Sequence, residues 1–448
     1  MKLPKYPPNT DTIFSQLMEQ EPQKALRLLS GEFNITDPKG RYLHWDKLYF
    51  LPPPSGYIRE EWWAGIKIAR KKLFKVLPFQ DSKQNAFKFL MPDSVLRDLH
   101  WLDQNSTGSL NVKDPILNKH MKNTYIMRSL VEESITSSQL EGASTTWKVA
   151  REMLRQGRTP TDKSEQMIYN NFHAMQFIRE HIDAPLTPEF ILELHRIVTD
   201  KTLDASYRAG CYRSNDDQVL VVNDQQEILH TPPCADTLPQ RIQTLCDFAN
   251  SEDELQFIHP VIKAIILHFM LAYDHPFVDG NGRTARALFY WSMARQSYWI
   301  MEFISISQVI KLAPIQYGRA YLLTESDDND LTYFIIHQLE VIKQAIDHLH
   351  HYIDKKTSEI NHAKDLLENA SKFKGQLNYR QLALLKHALK HPGFVYKINE
   401  HQNSHGIAYD TARTDLLIMA EKYQFLVKKK VGKTFVFESP QDLEQKIT

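Results

Sequence analysis

HPFVDGNGRTAR, residues 275–286, follows almost directly on AIILHFMLAY, residues 264–273. The longer segment HPVIKAIILHFMLAY (259–273) carries apolar residues nearly all round a helical wheel, so a buried helix is expected there. RTARALFYWSMAR (283–295) returns to helical periodicity straight after the glycines. The reading is helix, tight turn, helix. Gly280, Asn281 and Gly282 let the backbone turn and present N–H groups without side-chain obstruction. That turn falls at a helix N-terminus, where unpaired N–H groups and the helix dipole attract anions.

Chemistry follows from the same twelve positions. Arg283 and Arg286 stand three apart, on one helical face. Their planar, forked donors suit phosphate oxygens. Asp279 beside such a cradle would repel phosphates unless a cation lay between, which makes it a candidate Mg²⁺ ligand. His275, at the end of the apolar helix, has a side chain able to act as a general base near neutral pH. Phe277 is expected to point into the core. A lone GxG is weak evidence, and His268 in the apolar helix reads as a core residue.

Working outward, the 448 residues allow two or three domains. Hydrophobic residues make up 42% and charged residues 24%, so the chain reads as an ordinary globular protein. Zero formal net charge leaves partner choice to local patches. Cys211, Cys234 and Cys246 show no paired spacing, which argues against a disulfide framework or zinc site. No apolar run is long enough for a membrane span, and MKLPKYPPNTD lacks a leader's apolar core. A cytoplasmic protein with no membrane partner is expected.

Scarce glycine (15 residues) and many periodic segments predict a mainly α fold. Residues 1–115 read as an N-terminal helical region with a rigid proline loop in GRYLHWDKLYFLPPPSGY (40–57). WLDQNSTGSLNVKD (101–114) reads as a polar connection. The second domain spans 116–345. Within it, TPEFILELHRIVTD (187–200) opens on a Thr cap and a first-turn proline. QVLVVNDQQEILHTPP (218–233) reads as a β-hairpin. A connecting helix follows at 346–375, where HLHH (348–351) reads as a solvated face.

In residues 376–440, RQLALLKHAL and YDTARTDLLIMAEKYQFL (409–426) read as helices and KKKVGKTFVFE (428–438) as a hairpin. That order predicts a C-terminal winged helix-turn-helix. Residues 371–440 hold 12 Lys and Arg against 5 Asp and Glu. Tyr409, Thr411, Arg413 and Thr414 fall at the start of the expected recognition helix, so DNA is a candidate partner.

Residues 275–286 fit the pattern HxFx(D/E)GNGRxxR at every position, and the sequence here resembles the Fic family. IHPVIKAIILHFMLAYDHPF (258–277), RAGCYR (208–213), the hairpin at 218–231 and DLTYFI (330–335) resemble the family's flanking segments, so the likeness covers roughly 120–345. It implies a helical core with a β-hairpin flap, and transfer of AMP from ATP to a Ser, Thr or Tyr hydroxyl of a protein. His275 would be the base and Asp279 the Mg²⁺ ligand. The stretch Gly280, Asn281, Gly282, Arg283, Thr284, Ala285 and Arg286 would bind ATP, with the two arginines at its β/γ end. Tyr317 would contact the adenine side, although alone it reads equally as an ordinary helical tyrosine. The flap would pair with an extended target segment by strand addition.

SSQLEG (137–142) matches the family's inhibitory pattern (S/T)xxxE(G/N), with Ser137 and Glu141 in its defining positions. By itself the string describes a solvated helix end, with Gly142 as a natural C-terminal residue. Placed before a full motif, it implies an inhibitory helix near 131–142 whose Glu141 would sit on Arg286 and misalign ATP. The resemblance also admits removal of AMP through Glu141, self-modification and a homodimer. The alternative is a DNA-binding regulator that keeps the domain as a nucleotide sensor.

Overall fold

The computed structural model describes residues 2–106, 119–223, 225–251, 257–369, 376–431 and 434–447. Residues 107–114 of the expected connection, 370–375 of the expected connecting helix, Asp224 in the hairpin turn and Gly432 in the C-terminal turn lie outside them. The described chain is mainly helical with small antiparallel sheets. It divides into two compact units, each of several segments.

The first unit comprises Met1–Thr107, His173–Met301 and Ile306–Lys343. At its centre lies the apolar helix, Pro260–Asp274. Pro260 occupies the first turn, where a missing N–H costs nothing, and His259 caps it by accepting from Val261 N–H at 3.3 Å. Residues on every face of this helix are buried, among them Ile262, Ile265, Ile266, Leu267, Phe269 and Met270. Each such side chain contributes ~1.5–3 kcal/mol when fully buried. The helix Asn281–Arg295 packs against it, and Pro188–Thr199 packs on Asn281–Arg295. Thr187 caps Pro188–Thr199 through Phe190 N–H at 3.2 Å, as its sequence predicts.

The predicted hairpin at 218–233 forms, with short strands Val221–Val222 and Ile228–His230. Its tip is closed by Asn223, whose Oδ1 accepts from Gln225 and Glu227 N–H at 2.9 Å. A second hairpin, Lys75–Gln80 with Ala86–Phe89, was not expected. Its register shifts between Val76 and Gln80, around Pro78, which has no N–H for the ladder. Lys88 extends this hairpin by one bridge to Asp330. Beneath it, Lys67 pairs with buried Asp327 at 2.6 Å, and Arg70 donates to the Tyr333 hydroxyl at 2.7 Å.

The second unit comprises Gly108–Phe172, Glu302–Ser305 and Gln344–Thr448. Its helix Lys119–Leu140 carries Val131 and Ile135 into a cluster with Ala150 and Met153 of Trp147–Gln156. Ser305 Oγ donates to Glu133 Oε2 at 2.8 Å on the same helix. Farther on come the helix Tyr379–Lys390, strand Val395–Lys397, helices Ile398–His405 and Tyr409–Leu417, and strands Val427–Val431 and Thr434–Glu438. The sheet order places the last strand between the other two. The helix expected over 409–426 stops at Leu417 and continues as a π-helical turn, Ile418–Lys422. Strand Val395–Lys397 and helix Ile398–His405 were not foreseen. Asp415 locks this region, accepting from Arg380 Nε at 2.5 Å and Asn378 Nδ2 at 2.9 Å.

Candidate active site

The helix Pro260–Asp274 ends where His275 enters the left-handed region, φ 46°. Its backbone N–H still closes on Leu271 O at 3.1 Å. The ring Nδ1 lies 3.2 Å from Ala272 O. A carbonyl only accepts, so Nδ1 carries the proton and the basic lone pair resides on Nε2. His275 is half-buried.

Three side chains, none recognised as a site residue from sequence, hold this corner. Arg213 Nε donates to His275 O at 2.8 Å, and Arg213 N–H donates to Pro276 O at 2.8 Å. The same guanidinium reaches Pro233 O and, at 3.4 Å, Asp274 O. Arg241 pairs with Asp274 at 2.7 Å. Burial raises the Asp274 carboxyl pKa, and Arg241 opposes that rise. His230, at the base of the flap hairpin, spans Tyr273 O and Glu325 Oε2, each at 2.8 Å. Burial works to lower its pKa, but Glu325 and the Tyr273 carbonyl outweigh it and hold the pKa above the usual value. Through these two bonds the ring ties the flap to the apolar helix.

The loop after His275 is held from within. Asn281 Oδ1 accepts from Phe277 N–H, and Asn281 Nδ2 donates to Phe277 O, both at 2.9 Å. The Asn281 side-chain amide thus staples the turn, and its backbone N–H stays at the helix end. Phe277 is fully buried, as expected, and stacks on the His195 ring with centroids 3.7 Å apart. His195 Nδ1 accepts from Gly210 N–H at 3.0 Å, so its Nε2–H donates to Asp279 O at 2.9 Å. Burial pushes the His195 pKa down to about 4, which keeps the ring neutral. LELHRIVTD offered no signal for this role beyond a histidine on the buried face of a helix.

Gly280, φ 84°, caps the helix Asn281–Arg295. A Cβ there would stand 2.7 Å from Thr199 Cγ2 and 3.3 Å from His195 Cδ2, so the turn admits only glycine. The first intrahelical bond runs from Thr284 N–H to Gly280 O at 3.0 Å, and Thr284 Oγ1 donates to the same oxygen at 2.9 Å. The N–H groups of Asn281 and Gly282 precede that bond and make up the anion-attracting end. Ala285 is buried in the helix interior. Arg283 is fully buried, donating to Val198 O at 3.1 Å and to Asp279 Oδ1 at 3.3 Å. Arg286 is also buried, and lies near enough to His268 to reinforce the depression of its pKa.

Asp279 presents a carboxylate whose side chain is 46% exposed. Oδ1 accepts from Gly280 N–H at 2.5 Å and from Arg283, while Oδ2 has no hydrogen-bond donor among the described residues. A hard-oxygen donor beside an anion-attracting helix end fits Mg²⁺ shared with phosphate. Among the described residues no cluster of three or more acidic, His or Cys side chains forms an all-protein metal cage. Tyr317 donates or accepts at His268 Nε2, 2.9 Å away, and lies 3.0 Å from the Tyr321 hydroxyl. Its phenol thus joins the core network of the apolar helix. His268 is fully buried as expected, but its Nδ1 has no hydrogen-bond partner among the described residues.

Ser137 and Glu141 belong to the second unit. Ser137 is buried in helix Lys119–Leu140, which ends one residue before Glu141. Glu141 is exposed, and Gly142 follows in the left-handed region at φ 92°. Glu141 N–H donates to Ser138 O at 3.1 Å and Ala143 N–H to the same oxygen at 3.0 Å, so the turn is fixed by backbone bonds.

Residues 185–293 match the Fic/DOC family model, a span that contains the whole loop described above. The chain is similar to a protein adenylyltransferase Fic from Drosophila willistoni, 31% identical over 208 residues, covering 44% of this chain and 39% of that protein. A protein adenylyltransferase Fic from Nematostella vectensis is 28% identical over 184 residues, covering 40% of this chain and 39% of its own. The chain thus spans about two fifths of the length of these curated relatives. A Fic family protein from Desulfovibrio desulfuricans has a solved structure that covers 77% of this chain and 94% of its own, at 18% identity and a TM-score of 0.47.

Proposed function

We propose that this chain, Fic/DOC family sequence over residues 185–293 and related to Fic protein adenylyltransferases at about 30% identity, transfers AMP from ATP to a hydroxyl side chain of a protein. The observation that carries the reading is the His275 tautomer beside the helix end. Nδ1–H is committed to Ala272 O, so Nε2 is the basic nitrogen, and three residues of loop separate His275 from Asp279 and the Gly280 turn that follows it.

The residues divide the work as follows. The Asn281 and Gly282 N–H groups and the helix dipole hold phosphate oxygens. Arg283 and Arg286 offset phosphate charge from the buried side. Asp279 would hold Mg²⁺, which supplies charge neutralisation at the phosphates when bound. His275 Nε2 takes the proton of the target hydroxyl as its oxygen attacks the α-phosphorus, and pyrophosphate leaves. A positioned base of this kind accounts for ~10²–10⁴-fold of rate. The flap, with Val222 and Ile228 exposed on its two strands, offers an edge for an extended target segment. Self-modification uses the same geometry.

Glu141 acts as a brake in this reading. Its carboxylate competes with ATP for Arg286. Removal of AMP through Glu141 is the same residue's second role. The protein is cytoplasmic in this account; no helix among the described residues is long and apolar enough to cross a membrane.

The test is label incorporation from α-labelled ATP with Mg²⁺ and a lysate as target. Wild type, Glu141→Gly and each with His275→Ala are compared. Label confined to Glu141→Gly and abolished by His275→Ala supports the reading. No label in any of the four sinks it.

A second reading concerns residues 376–440 as a winged helix-turn-helix for DNA or for a homodimer. Tyr409, Arg413 and Thr414 are exposed on one short helix, and Lys428 to Lys430 are exposed on the edge strand of the sheet. Against it, Lys428 pairs with Glu421 and Lys429 with Glu438. Duplex DNA affinity that falls steeply with salt, unaffected by His275→Ala, would support this reading.

A further inference from the structure

The second unit contains a cavity of about 380 Å³ remote in sequence from the residues of the HPFVDGNGRTAR loop. Three of its walls are helices: Lys119–Leu140, Trp147–Gln156 and Ile398–His405. Tyr352 supplies a fourth side. Its size falls in the range of small-molecule sites, ~300–1,000 Å³.

The lining has two chemistries. Met127, Val131, Leu154, Trp147 and the Tyr352 ring give apolar and flat surface. Against them stand three arginines, Arg128, Arg151 and Arg155, and a single carboxylate, Glu132. That carboxylate is already held by Arg128 at 2.6 Å, and the Arg128 guanidinium lies 3.3 Å above the Tyr352 ring. Arg151 is exposed. Arg155 meets Glu400 at 3.5 Å, yet its buried Nε has no hydrogen-bond partner among the described residues. His405 is kept neutral by burial, so it neither repels a cation nor pairs an anion by charge. The cavity therefore combines surplus guanidinium donors with an aromatic wall.

We infer that this cavity is an effector site for a small aromatic carboxylate. The carboxylate meets Arg151 and the guanidinium of Arg155, whose side chain is 34% exposed. The ring lies between Trp147 and Tyr352, against Leu154 and Val131. An amine of the same shape meets three guanidinium groups and is excluded. The helix that supplies Val131 and Glu132 also carries Ser137, and it ends at Leu140, next to Glu141. A ligand held midway along that helix acts on its C-terminal end through the helix itself, so occupancy alters the brake. This last step rests on the AMP-transfer reading; the binding site does not.

The experiment uses the full chain and isothermal titration calorimetry with 2-naphthoate, and with 2-naphthylmethylammonium as the charge-reversed probe. The expected result is one naphthoate per chain, no heat from the amine and no competition by ATP. Arg151→Glu weakens naphthoate at least tenfold with an unchanged melting temperature. Leu154→Trp, which fills the cavity, abolishes it. Naphthoate that fails to bind, binds equally to Arg151→Glu, or is displaced by ATP overturns the site. Label transfer by wild type is then read with and without naphthoate. A threefold or greater change, absent in Arg151→Glu, supports the effector role. Unchanged transfer, in a preparation where Glu141→Gly raises it, overturns that role and leaves the site standing. No transfer even from Glu141→Gly strikes the AMP-transfer reading, whereas calorimetry still decides the site.

Discussion

Arg213 Nε donates to the carbonyl oxygen of His275 at 2.8 Å, so the backbone of the proposed base is held by a residue 62 positions earlier. The guanidinium also reaches the carbonyls of Pro233 and Asp274. One side chain thus joins the end of the apolar helix, the proposed base and the segment after the flap. Its burial and multiple carbonyl acceptors define a positioning residue.

Arg213→Gln is expected to lower the rate of label transfer by Glu141→Gly ten- to a hundredfold, with ATP affinity nearly unchanged. A hydrogen bond to a charged group is worth ~1.5–3 kcal/mol, so the melting temperature also falls. Arg213→Lys keeps the charge but not the fork, and recovers only part of both. Transfer kinetics of Arg213→Gln equal to those of the parent would show that the His275 carbonyl needs no such clamp.

Gly280→Ala tests the turn itself. The residue sits at φ 84°, and an added Cβ would fall 2.7 Å from Thr199 Cγ2. The left-handed conformation costs an L-residue ~1–2 kcal/mol before the clash is counted. A destabilised protein with ATP affinity reduced at least tenfold is expected, measured by thermal melting and by ATP titration. Native-like affinity in this variant would mean that the helix end is not the phosphate cradle.

Residues 275–286 were readable because their physics is local. Glycines make the turn, the following periodicity makes the helix, and Phe277 is buried where the apolar run predicts. The supports were not readable. Arg213 closes the RAGCYR segment, which gave it no such role, and His195 and Arg241 act through a carbonyl and a carboxylate tens of residues away, of which a lone His or Arg carries no mark. The Asn281 side-chain bonds to the Phe277 backbone were not readable either, because they depend on the loop's closure. The hairpin Lys75–Gln80 with Ala86–Phe89 was hidden by Pro78, which breaks the strand pattern and survives at a register shift. Strand Val395–Lys397 is three residues long, too short for period-two alternation to show.

Asp415 is the keystone of the C-terminal region. It accepts from Arg380, Asn378 and His401, and these bonds, against the opposing effect of burial, hold its carboxyl well below the usual range. Removing it leaves Arg380 buried without its partner, a change that costs ~3–5 kcal/mol. Asp415→Ala should therefore speed amide exchange across 379–438 by a factor of a hundred or more. Exchange across 260–295, in the other unit, should stay as it was. Uniform acceleration of both regions, or of neither, would contradict this assignment.

His195 makes the stability of the fold depend on pH. Burial lowers its pKa from 6.5 to about 4, and its two nitrogens are used as a neutral pair, accepting from Gly210 and donating to Asp279 O. The depressed pKa means that the unfolded chain binds this proton first as pH falls. Stability is therefore whole above pH 6.5 and is lost between 6.5 and 4, with a slope of ~1.4 kcal/mol per pH unit from this ring alone. Across the window the loss is ~3 kcal/mol. Burial lowers the pKa values of His44, His268 and His337 too, and adds the same sign. Buried Asp274 and Asp330, with raised pKa values, work the other way. The comparison with His195→Gln removes those shared contributions. Unfolding free energies from urea titrations at pH 4.5, 5.5 and 6.5 should fall less steeply for His195→Gln than for wild type, by that single-proton slope. Parallel lines for the two proteins would mean that His195 is not held neutral between Gly210 and Asp279, and that the Asp279 carbonyl is positioned by something else.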